Sequence, residues 1–364
     1  MRVLQIGCSG TSGGIENFVF CYNKELIKDG ILFDYVCTDA TIAFRKDIET
    51  LSENIYFITS EKNNPIRYFF QLVRIVKRYD VVHINMLSAA NMLPLIACNV
   101  GGVKKIIVHS HSSETDDWIR RCLHYFNKPL VGVFADVYLA CSDYAAKWLY
   151  IESLLKHKPV IIIKNAVSYD KYKFSINNRN SIRSRLGISY KTKVIGCVGR
   201  VTYQKNILFM LECIKCLVDK NEDIVFVHIG FHEEEYGRLV KEKIKQLNIS
   251  NYVKFLGVRK DVGNFYSAFD VFCMPSIYEG LSLTAIEAQC SGVRCFFSDA
   301  MSRQTKVNEN VEFLPIESAW DWANKIALAS DERLDGSITA KNMEQSGFNI
   351  NYVVKELKNV YLSS

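Results

Sequence analysis

Two carboxylates set eight residues apart are the clearest chemical feature of this sequence. Glu279 and Glu287 fall in residues 275–288, PSIYEGLSLTAIEA, where the pattern predicts a strand end, a loop, and a helix that begins near Ser282. Gly280 allows a sharp bend, and the first backbone N–H groups of a helix have no partner inside it. One ligand could therefore meet a loop carboxylate, several N–H donors and a carboxylate deeper in the helix. Alternatively, Glu279 caps the helix and Glu287 forms a salt bridge.

A pair of cations lies in a second strand-to-helix loop. Arg200 and Lys205 belong to residues 199–206, GRVTYQKN, and a helix is predicted at 206–217. A forked guanidinium, an ammonium and a helix N-terminus could together neutralise a diphosphate, although two solvated surface cations are the alternative. Carboxylates for hydroxyls, combined with cations and N–H groups for phosphates, are what a sugar nucleotide requires.

A glycine-rich loop, GCSGTSGG at residues 7–14, precedes a helix predicted at 16–28. Glycines such as Gly13 and Gly14 let the backbone approach an anion or a ligand rich in hydroxyls, although a tight turn is the simpler alternative. The spacing is not GxGxxG, which disfavours a NAD-dependent dehydrogenase.

Short β-rich runs alternate with helical stretches and would position these loops. Most runs are continuous in Val, Ile, Leu and Phe, which is typical of parallel strands buried on both faces. They lie at residues 2–7, 33–38, 54–59, 80–85, 104–110, 136–141, 159–164, 193–199, 223–230, 252–257, 270–275, 293–299 and 311–315. We predict an α/β protein with two doubly wound, Rossmann-like domains that face each other across a cleft, where the carboxyl ends of the strands bind ligands.

The domain limits follow from composition and length. The polar run SINNRN at residues 175–180 lacks periodicity, so we expect the interdomain linker within residues 167–181. A chain of 364 residues suits two domains, at residues 1–170 and 171–347. A last helix, at about 348–364, could pack back on the first domain.

Composition excludes several classes of protein. The chain is 49% hydrophobic and 23% charged, which excludes a disordered chain. Its net charge of +6 suits an anionic ligand or an acidic membrane surface but is too weak to indicate nucleic acid binding. Twelve cysteines are scattered, several of them in apolar runs, which predicts reduced thiols in a cytoplasmic protein. The first residues, MRVLQIGCSG, do not resemble a signal peptide.

Taken together, these motifs resemble the family 4 glycosyltransferases, retaining enzymes of GT-B fold that use nucleotide-sugar donors. The resemblance covers nearly the whole chain and is greatest to bacterial transferases that build capsular polysaccharide, exopolysaccharide or O-antigen. It rests on GGIENF, HSHSS at residues 109–113, KNAVSYDKY at 164–172, GRVTYQKN, and PSIYEGLSLTAIEAQCSG with its E-x7-E signature, followed by Ser298-Asp299. One departure is Arg294 where the family often has proline, and that arginine could be structural or could touch a substrate.

The resemblance implies a role for each matching residue of the second domain. Arg200 and Lys205 would hold the donor diphosphate and stabilise the departing nucleotide. Glu287 would bind the ribose hydroxyls, and Glu279 would contact the donor sugar. Three backbone amides would join Glu279 there, those of Gly280, Leu281 and Ser282. Val258 and Arg259 would meet the base.

In the first domain, which would bind the acceptor, His111 would lie near the reacting carbon of the donor sugar, and Gly13 and Gly14 beside phosphate and acceptor. The resemblance implies a hexosyl- or N-acetylhexosaminyl-transferase that retains configuration, with a leaving phosphate oxygen accepting the acceptor's proton. A covalent adduct of Glu279 is a less favoured route. No cofactor or metal is expected, since the cations supply the charge. The expected donor is a nucleotide-diphosphate sugar with UDP favoured, and the expected acceptor is a saccharide linked to polyprenyl diphosphate.

Two basic, aromatic segments at residues 65–79 and 118–128 could rest on anionic lipid at the inner face of the membrane, although both could equally be sheet-packing helices with solvated cations. Two other functions remain open at this stage. A UDP-sugar 2-epimerase shares the two-domain architecture, and a non-catalytic partner subunit could bind a nucleotide sugar without transferring it.

Overall fold

The protein divides into two compact units in a computed structural model that describes residues 1–11, 13–112, 114, 117–231 and 234–363. Unit 1 comprises Met1–Ala166 and Ile350–Ser364, and unit 2 comprises Val167–Asn349. Ser12 of the glycine-rich loop and Ser113 of the HSHSS segment lie outside the described residues.

Seven strands form the sheet of unit 1: β1 (Arg2–Cys8), β2 (Leu32–Cys37), β3 (Ile55–Phe57), β4 (Val81–Met86), β5 (Lys105–Ser110), β6 (Val137–Ala140) and β7 (Val160–Ile162). All neighbours pair in parallel, in the order β3-β2-β1-β4-β5-β6-β7. The order changes direction between β1 and β4, and open α/β sheets leave a crevice for ligands at such a point.

The helices of unit 1 pack on its two faces: α1 (Gly14–Ile27), α2 (Arg45–Glu49), α3 (Pro65–Val76), α4 (Leu93–Gly101), α5 (Trp118–Phe134), α6 (Asp143–Leu149), α7 (Glu152–His157) and the last helix of the chain, α16 (Ile350–Leu362). Alternate residues of β1 enter two separate apolar clusters. Leu4 packs in the cluster with α3 to α7, while Val3 packs in the cluster with α1 and α16. The last helix therefore completes the core of unit 1.

Six strands form the sheet of unit 2: β8 (Lys193–Val198), β9 (Ile224–Ile229), β10 (Val253–Phe255), β11 (Val271–Met274), β12 (Arg294–Ser298) and β13 (Val311–Leu314). They are all parallel, in the order β10-β9-β8-β11-β12-β13. The order again changes direction between the first strand of the unit and its fourth. Both sheets thus confirm the predicted doubly wound, Rossmann-like α/β topology.

The helices of unit 2 are α8 (Tyr169–Tyr172), α9 (Ile176–Arg185), α10 (Ile207–Asp219), α11 (Glu234–Gln246), α12 (Val262–Ala268), α13 (Leu283–Cys290), α14 (Ala319–Leu328) and α15 (Gly336–Gln345). Close backbone packing at the carboxyl ends of β8 and β9 requires glycine. Gly230 has a φ of +150°, and a Cβ atom there would lie 1.8 Å from the carbonyl oxygen of Gly199.

The polar run at residues 175–180, part of the linker predicted within residues 167–181, instead forms the N-cap and first part of α9. Ser175 caps the helix by accepting a hydrogen bond from the amide of Asn178. The helix has no apolar stripe, and two of its cations, Arg179 and Arg183, form ion pairs with the buried Asp270, which directly precedes β11. Ion pairs of this kind produce no periodic pattern of apolar residues, so the sequence did not indicate a helix here. The units join between Ala166 and Val167, where the predicted linker range begins, and again between Asn349 and Ile350.

The twelve cysteines are all free thiols. Among the described helices, none has both the length and the apolar character needed to cross a membrane.

Candidate active site

The loops after β8 and β11 bring two predicted residues together in unit 2. Lys205 ends a short 3-10 turn after β8, and its ammonium forms an ion pair with the carboxylate of Glu279, which follows β11. Both side chains are largely buried. The lysine stem runs beside Gly199, where a Cβ atom would lie 3.4 Å from its Cε atom. Glu279 therefore pairs with a cation and does not cap the next helix.

Free backbone donors lie directly after this ion pair. The carbonyl of Glu279 accepts a hydrogen bond from the amide of Ser302 at 3.1 Å, which fixes the loop. The next three amides, those of Gly280, Leu281 and Ser282, donate to no other described residue. Ser282 is the N-cap of α13 and its side chain makes no capping bond. Free amides at a helix N-terminus can bind an anion or a sugar hydroxyl.

Glu287 lies about a turn further along α13. The hydroxyl of Tyr266 donates a 2.8 Å hydrogen bond to its carboxylate. Burial raises the pKa of Glu287, although hydrogen bonds from Tyr266 and Tyr172 act in the opposite direction. Among the described cations none forms a salt bridge with Glu287, so the carboxylate keeps acceptor capacity for a ligand hydroxyl.

Three further predicted residues of unit 2 differ in their exposure and in their hydrogen-bond partners. Arg200 is exposed, and its guanidinium has no hydrogen bond or ion pair with a described residue. Val258 is 72% exposed. The guanidinium of Arg259 is held by Asp261 at 3.0 Å, so only part of its donor capacity is available. Arg294, the departure from the family pattern, forms a 3.0 Å ion pair with Glu312 between β12 and β13. That contact favours a structural role for Arg294.

The glycine-rich loop of unit 1 is tied to the helix that follows it. Gly13 is the N-cap of α1, and Gly14 begins the helix. Glu16, in the first turn, accepts hydrogen bonds from the amide and hydroxyl of Ser9 at 2.8 and 2.7 Å. Gly7 has a φ of +105°, and a Cβ atom there would lie 2.3 Å from the carbonyl oxygen of Asn85. The loop therefore approaches the end of β4 more closely than any residue with a side chain could.

His111 follows β5 and is positioned by a residue that sequence analysis missed. Its Nε2 atom lies 2.9 Å from Oδ1 of Asn85, at the end of β4. The amide nitrogen of Asn85 lies 3.0 Å from Oε1 of Gln5, and the Gln5 amide in turn donates to the hydroxyl of Tyr361 at 3.1 Å. A buried hydrogen-bonded chain thus runs from α16 through β1 and β4 to His111. The only sequence signal for it is that polar residues interrupt apolar strands.

Two more buried histidines lie beside His111. Its ring centroid is 4.0 Å from that of His109, which stacks on His83 at 5.4 Å. Neither ring nitrogen of His109 has a partner among the described residues. Burial lowers the pKa of His83 and His111 to about 3 and that of His109 well below its usual range. All three imidazoles are therefore neutral at physiological pH.

No group of three or more His, Cys, Asp or Glu side chains in the described parts of the chain is arranged to hold a metal ion. The expectation that the protein needs no metal or other cofactor stays a prediction.

Comparison with known proteins matches both halves of the chain to glycosyltransferases. A family model described as Glycosyltransferase Family 4 matches residues 12–171, and one described as Glycosyl transferases group 1 matches residues 178–349. A relative from Escherichia coli, named UDP-Gal:alpha-D-GlcNAc-diphosphoundecaprenol alpha-1,3-galactosyltransferase, is 28% identical over 96% of this chain and 90% of its own. EpsF of Bacillus subtilis, provisionally named a glycosyltransferase, is 25% identical over 99% of this chain and 96% of its own.

Among solved structures, HepE of Anabaena in complex with UDP superposes with a TM-score of 0.79 at 17% identity, covering 99% of both chains. This likeness confirms the predicted GT-B fold. The chain belongs to glycosyltransferase family 4.

Proposed function

We propose that the protein transfers a hexose or N-acetylhexosamine from a UDP-sugar to a saccharide linked through diphosphate to a polyprenol, with retention of configuration, in the synthesis of a bacterial surface polysaccharide. The observation that carries the proposal is the ion pair of Lys205 and Glu279, which lies beside the three free amides that precede α13. It combines a cation, a carboxylate and backbone donors at the ends of two adjacent strands.

Each group has one task in this proposal. Lys205 and Arg200 bind the donor diphosphate and stabilise the negative charge that develops on it as the sugar departs. Glu279 and the free amides orient the donor sugar, while Glu287 accepts hydrogen bonds from the ribose. UDP is favoured because the E. coli relative is named for a UDP-sugar and HepE was crystallised with UDP. Val258 and Arg259 are assigned to the base.

The chemical step breaks the bond between the anomeric carbon and the donor phosphate. The acceptor hydroxyl attacks that carbon on the face from which the nucleotide departs, and its proton passes to the leaving phosphate oxygen. Charge stabilisation by Arg200 and Lys205 replaces a metal ion in this account. His111 is assigned a place beside the reacting carbon, where its neutral imidazole can accept a hydrogen bond without adding charge. Gly13 and Gly14 are assigned to the acceptor.

The acceptor assignment is supported by the E. coli relative, which is named for a sugar diphosphoundecaprenol. Peripheral association with the inner face of the membrane accords with such a substrate. The apolar side chains of α5 recur every three or four residues and remain exposed: Ile119, Leu123, Phe126, Leu130 and Val133. Four cations of the first segment, Arg67, Arg74, Lys77 and Arg78, form no ion pair with a described residue.

Transfer can be tested with UDP-, GDP- and ADP-sugars and a diphosphate-linked saccharide acceptor. We expect turnover with a UDP-sugar and a product of retained configuration. Lys205→Ala should lower kcat/KM on the order of 10²–10³-fold, since it removes a charge aimed at the leaving group. Lys215→Ala is the matched control, because Lys215 pairs with Asp219 on the exposed side of α10. Normal transfer by Lys205→Ala, or epimerisation of the donor without transfer, would contradict the proposal.

A further inference from the structure

A cavity of about 650 Å³ lies wholly within unit 1, at the carboxyl ends of β1, β2 and β4. Its size falls within the roughly 300–1,000 Å³ typical of small-molecule sites. Gly7 and Asn85 line it, and Asn85 is the residue that holds His111. The cavity therefore begins at the change in strand order, next to a proposed active-site residue, and extends outward between the loops.

Charged side chains of both signs line the outer part of this cavity. Lys62, in the loop before α3, and Arg120, in the first turn of α5, form no ion pair with a described residue. Asp39 and Glu61 also line it, and the carboxylate of Asp39 accepts a 2.6 Å hydrogen bond from the amide of Gly10. Carboxylates accept hydrogen bonds from sugar hydroxyls, whereas free cations favour phosphate.

A second, smaller cavity of about 310 Å³ lies between α3 and the start of α4. Its lining is apolar throughout, formed by Pro65, Ile66, Phe69, Phe70 and Leu93. The helices α3 and α4 line both cavities, because Tyr68 and Pro94 face the first one. Ile66 and Phe70 are 70% and 65% exposed, an exposure of large apolar side chains that typically marks a binding surface.

We propose that these two cavities form one binding site for a saccharide-diphosphate-lipid. Asp39 and Glu61 would bind saccharide hydroxyls, Lys62 and Arg120 would bind the diphosphate, and the apolar groove would hold the first isoprene units. The proposal rests on the proposed function and identifies where its acceptor binds. Its basis is the combination of the linings: the carboxylates suit sugar hydroxyls, the cations suit a diphosphate, and the apolar groove suits a hydrocarbon chain.

Binding can be measured without any transfer reaction. Farnesyl diphosphate is titrated calorimetrically into the full-length protein in saturating UDP, so that the proposed donor site is occupied, with inorganic diphosphate and farnesol as comparison ligands. We expect farnesyl diphosphate to bind more tightly than either. Lys62→Ala and Arg120→Ala should each lower the affinity for farnesyl diphosphate about tenfold or more, because a hydrogen bond between charged groups is lost. Both residues are exposed, so the variants should fold.

The groove is tested by Phe70→Ser. This variant should bind farnesyl diphosphate more weakly than the wild type but bind inorganic diphosphate with unchanged affinity. Lys46→Ala is the matched control, because Lys46 is an exposed cation on α2 that does not line the cavity. Failure of the wild-type protein to bind farnesyl diphosphate, or equal binding by the Lys62/Arg120 double variant, would overturn the inference. A protein that binds farnesyl diphosphate as expected but transfers no sugar would overturn only the proposed function.

Discussion

In the hydrogen bond between His111 and Asn85, the atoms around Asn85 determine that His111 is the donor. The carbonyl oxygen of Ile6 lies 3.2 Å from the side chain of Asn85 and can only accept, so the amide nitrogen must face it. The Asn85 oxygen therefore faces His111 and accepts from its Nε2–H group at 2.9 Å. It follows that the buried Nδ1 atom of His111 carries a lone pair and is available as an acceptor.

Replacing Asn85 should impair catalysis more than donor binding. In Asn85→Leu the imidazole loses both its orientation and its fixed tautomer, and a misplaced active-site group can lower the rate by about 10²-fold. We expect kcat to fall while the Kd for UDP changes little. Asn23→Leu is the control, since Asn23 is equally buried in unit 1 and donates to Tyr35 at 3.1 Å. An unchanged kcat in a folded Asn85→Leu protein would exclude this positioning role.

Replacing Glu287 by glutamine should raise the stability of the protein and lower its affinity for UDP. The pKa of Glu287 is raised in the folded protein, so the folded state binds a proton more tightly than the unfolded chain does. The free energy of unfolding therefore falls as the pH rises through and above the ordinary glutamate pKa near 4.5. Glu287→Gln removes the buried charge and should raise the free energy of unfolding at pH 7 but not at pH 4. The same variant should bind UDP about tenfold more weakly, because a neutral amide accepts ribose hydrogen bonds less strongly.

Chemical denaturation at both pH values and calorimetric titration of UDP measure the two effects. Glu242→Gln is a suitable control, since Glu242 is exposed on α11, which carries none of the proposed site residues. If Glu287→Gln bound UDP as the wild type does, the ribose assignment would be wrong even though the stability effect could remain.

The buried His83 and His109 and the half-buried His111 should make the protein sensitive to acid. Their pKa values are lowered in the folded state, so the unfolded chain takes up more protons below pH 6.5. Stability is therefore fully present above pH 6.5 and is lost as the pH falls towards 3. Each imidazole contributes about 1.4 kcal/mol per pH unit within that interval.

His109→Phe tests this contribution with a ring that cannot be protonated. The slope of the unfolding free energy between pH 6.5 and pH 5 should decrease by about 1 kcal/mol per pH unit relative to the wild type, since the unfolded imidazole is only half protonated at pH 6.5. Denaturant titrations at several pH values give this slope. An identical slope in both proteins would mean that His109 is not the neutral, buried group that its surroundings indicate.

The strands and the main loops of this fold could be predicted from sequence because they follow repetitive local rules. Buried parallel strands are continuous apolar runs, and the loop glycines, Lys205 and Glu279 stand at their ends. Helix α9 could not be predicted, since Arg179 and Arg183 are fixed by Asp270, some 90 residues away. The support of His111 was missed for the same reason: Gln5, Asn85 and Tyr361 are brought together only by folding.

Association with membranes should depend on the exposed stripe of α5. Phe126 is 80% exposed and Val133 71% exposed, and burying one such side chain in lipid contributes roughly 1.5–3 kcal/mol. We expect the protein to float with phosphatidylglycerol vesicles at low salt, less at high salt, and hardly at all with phosphatidylcholine alone. The double variant with Phe126→Ser and Val133→Ser should bind these vesicles at least about tenfold more weakly.

The control variant, Leu328→Ser, removes a side chain that is 85% exposed in unit 2 and should bind the vesicles as the wild type does. Wild-type protein that stays unbound, or a double variant that binds as well as the wild type, would rule out α5 as the membrane contact.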